Sequence, residues 1–166
     1  MIGTVVQVAV SRGGVPKSPI PSAELTATGI IGDAWRFPFH GGRRKAILLI
    51  TIEGIDELIA QGFPLYPGAL GENVTTRGLD RRALRAGQRF RAGSATIELR
   101  QVRTPCATLD VYGTGVQAAM YDARVHAGDA GSPRWALSGF YASVTEAGIL
   151  RPGDAITLLE RHDAHA

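Results

Sequence analysis

Short hydrophobic runs, separated by Gly- and Pro-rich segments, are the main pattern along this chain. Residues 2–10 are rich in valine and predict a buried strand, whereas residues 24–30 alternate between apolar and polar types and predict a half-buried strand. Residues 46–51 are continuously apolar, which predicts a third strand. Short β-branched runs that are separated by turn residues in this way are typical of a β-rich fold.

The second half of the chain continues the pattern. Residues 88–90 and 95–102 predict a hairpin around a turn at 91–94, and residues 134–144 and 155–160 predict two closing strands. The polar tail that follows, RHDAHA, is expected to be frayed, as chain ends often are.

Two segments predict short helices. Residues 53–60 place apolar side chains at helical spacing and Thr51 can cap them, while residues 116–124 predict a second helix. Many strands with few helices favour a mainly β fold, a partly closed β-barrel with short flanking helices, over a doubly wound sheet. No linker or shift in composition divides residues 1–166, so we expect a single domain.

Composition narrows the possible functions. The 166 residues are 45% hydrophobic and 20% charged, which is typical of a globular protein with its own core. The net charge of +3 comes from small cationic clusters, so we expect no general nucleic-acid binding but allow an anion pocket. One cysteine cannot form an internal disulfide. The N-terminal apolar run lacks a basic leader and falls short of a membrane span, so we predict a cytoplasmic protein.

The single cysteine, Cys106, lies in the unusual segment QVRTPCATLD. A lone cysteine is most often a small buried hydrophobic residue. Pro105, however, lacks an N–H group and places the thiol at a strand end or bulge. A bend at Pro105 would let Arg103 face Cys106 and favour a thiolate, which is a nucleophile and a soft metal ligand.

A second candidate is the basic loop within FHGGRRKA. Glycines let backbone N–H groups approach an anion, and forked arginine donors match phosphate or carboxylate. A solvated basic turn between strands is an equally good interpretation. The candidate binding residues of this loop are His40, Gly41, Gly42, Arg43, Arg44 and Lys45.

Two further stretches carry acidic or amide side chains within turn sequences. In PGALGEN, Glu72 and Asn73 either close a turn, which is the better default, or face a cavity. Asp33 follows Gly32 and fits a turn, with little support for a metal role. The four histidines are scattered, and no Cys/His pair has zinc spacing.

Taken in order, these stretches resemble the MOSC domain, the molybdenum-cofactor sulfurase C-terminal domain. The resemblance runs from about residue 3 to about residue 160 and is carried by HGG-x-x-Lys-Ala, Gly-Glu-Asn and Arg-x-Pro-Cys in this order. It implies a β-barrel with flanking helices, in which Cys106 matches the signature cysteine of the family. That cysteine ligates molybdenum in members that hold the molybdenum cofactor, and a persulfide on it has been proposed in sulfur-transfer members.

The resemblance implies a role for each candidate residue. Cys106 would bind molybdenum, the basic loop with Arg103 would bind the phosphate of molybdopterin, and polar groups would meet the pterin edge. The candidates for the pterin edge are His40, Glu72 and Asn73. Similar family members reduce N-hydroxylated compounds, so the expected reaction is reduction of a small N-oxygenated substrate with electrons from a donor protein.

Two alternatives remain open from the sequence. In the first, Cys106 carries sulfur as a persulfide that a cysteine desulfurase supplies, with pyridoxal phosphate on that partner only. In the second, the chain is a non-catalytic module that binds an anion or a protein partner, and Cys106 is structural. The sequence names no substrate.

Overall fold

The computed structural model of the chain describes residues 1–159. Its strands are β1 (Ile2–Val10), β2 (Ser18–Ile20), β3 (Ala23–Thr26), β4 (Gly29–Ile30), β5 (Ile47–Thr51), β6 (Val74–Arg77), β7 (Arg89–Ala92), β8 (Ala95–Val102), β9 (Phe140–Glu146), β10 (Gly148–Leu150) and β11 (Ala155–Leu158). Its α-helices are α1 (Ile52–Ala60), α2 (Val116–Met120) and α3 (Ala123–His126), and short 3-10 turns lie between them. None of these helices is long and apolar enough to cross a membrane.

The strands form a closed barrel, which confirms the predicted β-rich fold. The main sheet runs β11-β7-β8-β9-β5-β6-β1, and β1 pairs with β11 to close a ring of seven strands. Strand β2 pairs with the second half of β1, and a separate small sheet has the order β10-β3-β4. The ring is fully closed, whereas the sequence predicts partial closure. Closure leaves no free edge in the ring.

Strand β5 is continuously apolar because both of its faces are buried. Ile47 and Leu49 point into the barrel and belong to the same core as Phe140. Leu48 and Ile50 point outward into a second core, which α1 and α2 cover. A strand covered on both faces needs no polar positions.

The connection from β5 to β6 follows from their direction. These two strands are parallel, so the chain must cross over between them, and α1 makes the crossing. As predicted, Thr51 caps the helix, its hydroxyl accepting a hydrogen bond from the Gly54 N–H at 3.1 Å. The helix begins at Ile52, one residue before the predicted start.

Two predicted strands are shorter than the pattern indicates. Residues 24–30 form not one strand but the hairpin β3–β4, in which the Thr26 hydroxyl donates to the carbonyl of Gly29 at 2.8 Å. The strand predicted at 134–144 begins only at Phe140. Ala136 and Gly139 before it have φ of 59° and 93°, which extended strands do not adopt.

Other boundaries differ by smaller amounts. The helix predicted at 116–124 is interrupted, because Asp122 is extended and caps α3 by accepting from the Val125 N–H at 2.8 Å. The predicted hairpin forms as β7 and β8 with a tighter turn. Strand β6 has no hydrophobic signal, since three of its four residues are Thr or Arg. The tail predicted to fray, with the end of the 155–160 strand, lies outside the described residues.

Candidate functional site

A cavity of about 340 Å³ lies on the outer side of the barrel, and it brings several predicted residues together. Its floor includes Leu48 of β5 and Tyr141 of β9, which are register partners across the sheet. Loops that follow β1, β4 and β8 form its walls. Ligand cavities of proteins typically have volumes of this order. The charged or reactive residues that line it are Lys17, Arg36, His40, Lys45, Arg103 and Cys106.

The end of β8 presents both Arg103 and Cys106 to this cavity. The Arg103 N–H donates to the Gly139 carbonyl at 2.8 Å, and the Ser138 hydroxyl donates to the Arg103 carbonyl at 2.6 Å. The chain then leaves the sheet through Pro105, and Cys106 begins a 3-10 turn. This departure supplies the bend that the sequence requires, because residues three apart on a straight strand face opposite ways. Cys106 is half-buried, and its Sγ lies 2.9 Å from the Thr108 hydroxyl oxygen.

The Arg103 side chain is buried, and one of its N–H donor groups has no hydrogen-bond partner in the part of the chain that the structure describes. It is only 7% exposed, and its Nη1 has no hydrogen-bond partner among residues 1–159. Burial lowers the pKa of Arg103, while neighbouring Tyr141 and Cys106 act to raise it. Arginine nevertheless remains protonated in proteins. A buried charged donor that lacks a partner is costly, so this guanidinium is suited to an acceptor on a bound ligand.

His40 and Lys45 lie on the other side of the cavity. Burial, Arg103 and Lys45 all lower the pKa of His40, so its imidazole is neutral at pH 7. The Lys45 ammonium donates to the Phe39 carbonyl at 3.1 Å and lies 5.1 Å from the centre of the Tyr141 ring. Lys45 and Arg103 together make this part of the cavity electropositive.

The rest of the predicted basic loop lies outside the cavity lining. Arg43 and Arg44 are exposed on a 3-10 turn, and their side chains do not line the cavity. Gly42 has φ of 102°, a backbone conformation that favours glycine and lets the chain enter that turn. Gly41 supports the Trp35 ring, since a Cβ there would clash with it. The two glycines thus shape the loop, and Lys45 alone brings a cation from RRK to the cavity.

Glu72 and Asn73 have mainly architectural contacts. The Glu72 carboxylate is fully buried, does not line the cavity and accepts from the Gly68 N–H at 2.6 Å. Burial raises the pKa of Glu72. Asn73 borders the cavity, but its amide accepts from the Leu48 N–H at 3.0 Å and donates to the Ala9 carbonyl at 3.2 Å. Both side chains therefore hold turns and strands in place.

Several lining residues are not among the predicted site residues, and Lys17, Tyr141 and Thr108 have the clearest contacts. Lys17 comes from the Pro-rich loop after β1 and forms a buried ion pair with Asp33, Nζ to Oδ1 2.6 Å. Tyr141 lies within a predicted strand, where nothing indicates which face it occupies. Thr108 follows Cys106 by two residues and is recognisable only from its contact with sulfur. A charged residue inside a loop of small residues is an available signal, but it indicates Arg12 as well as Lys17, and only Lys17 lines the cavity.

The site offers a metal a single soft ligand. No group of three or more His, Cys, Asp or Glu residues in the part of the chain that the structure describes could hold a metal ion. A bare ion that needs several protein ligands therefore does not fit. A metal that arrives within its own chelate fits well, since Cys106 can supply one thiolate and Arg103 can bind an acceptor on the chelate.

Comparisons with known proteins agree with this architecture. Residues 36–157 match the MOSC domain. The uncharacterized protein YflK of Bacillus subtilis (strain 168) is 30% identical over 125 residues, covering 74% of this chain and 51% of YflK. This chain thus spans about half the length of that curated relative.

Solved structures share the fold over nearly the whole chain. YiiM from Geobacillus stearothermophilus has a TM-score of 0.70 at 25% identity, covering 98% of this chain and 77% of YiiM. YiiM from Escherichia coli has a TM-score of 0.70 at 24% identity, covering 97% of this chain and 71% of that protein. YuaD from Bacillus subtilis has a TM-score of 0.70 at 22% identity, covering 95% of this chain and 96% of YuaD. At these lower identities the last two show the fold alone.

Proposed function

The chain belongs to the MOSC domain family, and from that premise we propose that it binds the molybdenum cofactor through Cys106 and reduces N-oxygenated small molecules. One observation carries the proposal: the buried Arg103 guanidinium, with its Nη1 unpartnered among residues 1–159, lines the same cavity as the half-buried thiol of Cys106. The MOSC family is generally associated with this cofactor.

The cavity residues divide the binding of the cofactor among them. Cys106 supplies a soft thiolate for the metal, and Arg103 with Lys45 supplies donors for phosphate or pterin oxygens. Arg43 and Arg44, which the sequence suggests for the phosphate, have no part in this assignment because they do not line the cavity. Neutral His40 is available for a polar edge of the pterin.

The proposed reaction cleaves an N–O bond. Two electrons and two protons convert a hydroxylamine-type substrate into an amine and water. The cofactor supplies two-electron redox chemistry when it is bound. The protein orients the substrate and contributes hydrogen bonds: burial raises the pKa of Tyr141, so its hydroxyl remains protonated and can donate at the cavity floor.

Metal analysis tests the proposal. Protein produced in a host that makes the cofactor should contain about one molybdenum per chain, and Cys106→Ser should lose it, because a hydroxyl is a poor ligand for this soft site. Ala107→Ser is the matched control, since it adds the same hydroxyl at an exposed neighbouring position. Molybdenum that persists in Cys106→Ser would overturn the assignment of the ligand.

The same experiment distinguishes the two alternatives. A sulfur carrier would hold no molybdenum and would gain the mass of one sulfur atom on Cys106 after incubation with cysteine and a pyridoxal-phosphate-dependent desulfurase. A binding module with a structural cysteine would bind its anion equally well after Cys106→Ser. The Arg103 donor, unpartnered among residues 1–159, supports a bound acceptor over the sulfur carrier, and the thiol that lines the same cavity supports a metal-containing cofactor over a simple anion.

A further inference from the structure

An exposed basic and aromatic surface borders the cavity and shares part of its lining, but none of its residues has a role in the proposed binding of the cofactor. We call it the basic–aromatic face, and its residues are Trp35, Arg36, Phe37, Phe39, Arg43 and Arg44. Phe39 is 66% exposed and stacks on Phe37 with ring centres 5.3 Å apart. The Arg36 guanidinium lies 5.6 Å from the centre of the Phe37 ring. Exposed aromatic rings beside arginines are characteristic of protein interfaces.

The charge of this face is uncompensated. The sequence has no Asp or Glu from residue 34 to residue 52. Arg36, Arg43 and Arg44 form no ion pair with any residue of 1–159. Asp33, the nearest acidic residue in sequence, is already paired with Lys17. An acidic surface is therefore the complement that this face lacks.

The proposed reaction requires a partner that brings electrons. The sequence has one cysteine, so it cannot form an internal dithiol or bind a four-cysteine iron–sulfur cluster. The described residues contain no group of three or more His, Cys, Asp or Glu side chains that could hold a redox metal. Each turnover consumes two electrons, which we assign to a separate donor that releases them in one or two steps, while solvent supplies two protons.

We infer that the basic–aromatic face docks a small acidic electron-carrier protein at the mouth of the cavity. This inference rests on the proposed function. Trp35, Arg36 and Phe39 belong both to the face and to the cavity lining, so a docked carrier would stand directly over the site. The face is also held in position: Trp35 packs on Gly41, and the Lys45 ammonium binds the Phe39 carbonyl at 3.1 Å.

The test reverses charge at the two arginines that lie outside the cavity lining. Arg43→Glu/Arg44→Glu removes them from the face without touching the cavity, since both are exposed and unpaired within residues 1–159. Arg77→Glu/Arg151→Glu makes the same change in net charge at two exposed positions elsewhere on the protein. Circular dichroism checks that each variant folds, and Arg43→Gln/Arg44→Gln replaces the first variant if it does not.

Two electron donors separate docking from chemistry. Cofactor-loaded protein is assayed for reduction of a hydroxylamine substrate with chemically reduced flavodoxin, an acidic flavin protein, and with reduced methyl viologen, a small cation. We expect the Arg43/Arg44 variant to lose roughly 10-fold or more of kcat/KM with flavodoxin at low salt and to retain its rate with methyl viologen. The Arg77/Arg151 variant should match the wild type with both donors, and added salt should narrow the difference.

A binding measurement makes the result independent of turnover. Flavodoxin affinity is determined by titration calorimetry for all proteins, with single-stranded DNA and anionic vesicles as competing anionic surfaces. Flavodoxin binding that is lost only in the Arg43/Arg44 variant supports the inference. Equal flavodoxin binding by both double variants, or binding to DNA or vesicles alone, overturns it. Absence of turnover with methyl viologen counts against the proposed function instead, and the binding result still decides the docking.

Discussion

At the scale of single residues, the Thr108 hydroxyl makes a hydrogen bond with the proposed ligand atom. Its hydroxyl oxygen lies 2.9 Å from the Cys106 sulfur, and both side chains border the cavity. A hydroxyl in this position can donate to a thiolate and hold the orientation of its side chain. Groups that contact a metal ligand in this way commonly change metal affinity by 10- to 100-fold.

We therefore expect Thr108→Val to retain the cofactor less well than the wild type, by roughly 10-fold. Valine keeps the shape of threonine and removes only the hydroxyl. Thr108→Ser should restore retention, because serine returns the donor without the methyl group. The measurement is the molybdenum that remains bound after extended dialysis. Wild-type retention in Thr108→Val would show that the hydroxyl does not act on the sulfur.

The chemistry of individual residues decided which parts of the site could be predicted. Cys106 and Arg103 stand out because a thiol and a cation flank a proline, and the structure brings both to one cavity. Arg43 and Arg44 stand out equally, yet they do not line the cavity, because sequence shows which charges are clustered and not which of them reach a common pocket. Whether the residues in the cavity hold the cofactor stays a prediction.

At the scale of elements, a buried polar network ties the loop after β1 to the segment after β4. Lys17 is 7% exposed and Asp33 is 1% exposed at their side chains, and their charged atoms are 2.6 Å apart. Asp33 also accepts from the Ser11 N–H at 2.9 Å and from the Asn73 amide at 2.9 Å. The network fixes one wall of the cavity against the barrel.

Removing one member of the Lys17–Asp33 ion pair should destabilise the folded protein. We expect Lys17→Met to lower the free energy of unfolding by about 3–5 kcal/mol, because it leaves a buried carboxylate without its counter-charge. Lys17→Met/Asp33→Asn should cost less than the sum of the two single changes. Arg124→Met is the control, since the Arg124–Asp129 pair is exposed and such pairs contribute at most about 1 kcal/mol. Urea unfolding of Lys17→Met, Asp33→Asn, the double variant and Arg124→Met measures these free energies. An equal loss of stability in Lys17→Met and Arg124→Met would contradict the prediction.

The elements themselves were predictable where periodicity and local contacts agree. Strand β5 and helix α1 follow from a continuous apolar run, a helical repeat and the cap at Thr51. The segment before β9 is as apolar as a strand, but backbone turns at Ala136 and Gly139 end the extended conformation there. Strand β6 is ordered by its neighbours β5 and β1, and a strand that depends on long-range pairing leaves little local signal.

At the scale of the whole molecule, two buried arginines have opposite relations to stability. Arg81 is 3% exposed and fully engaged: it binds Glu57 at 2.7 Å and the carbonyls of Trp135 and Pro133 at 2.6 and 3.0 Å. Arg103 is 7% exposed and has a donor without a partner in the described chain. Arg81 therefore joins distant parts of the fold. Arg103 is desolvated without full compensation, and a bound ligand would offset that cost.

Replacing each arginine by methionine separates these roles. Arg81→Met should destabilise the cofactor-free protein by about 1–3 kcal/mol, because it leaves the Trp135 and Pro133 carbonyls without their donor, while the half-exposed Glu57 carboxylate can be hydrated instead. Arg103→Met should leave the cofactor-free protein as stable as the wild type, or more stable by about 1–3 kcal/mol, since it removes a buried unsatisfied charge. The same Arg103→Met variant should gain less stability from bound cofactor, because the stabilisation that a ligand gives the folded state increases with the logarithm of its affinity. Denaturant unfolding of the empty and loaded proteins measures both effects, and a loss of several kcal/mol in empty Arg103→Met would mean that this guanidinium supports the fold and not a ligand.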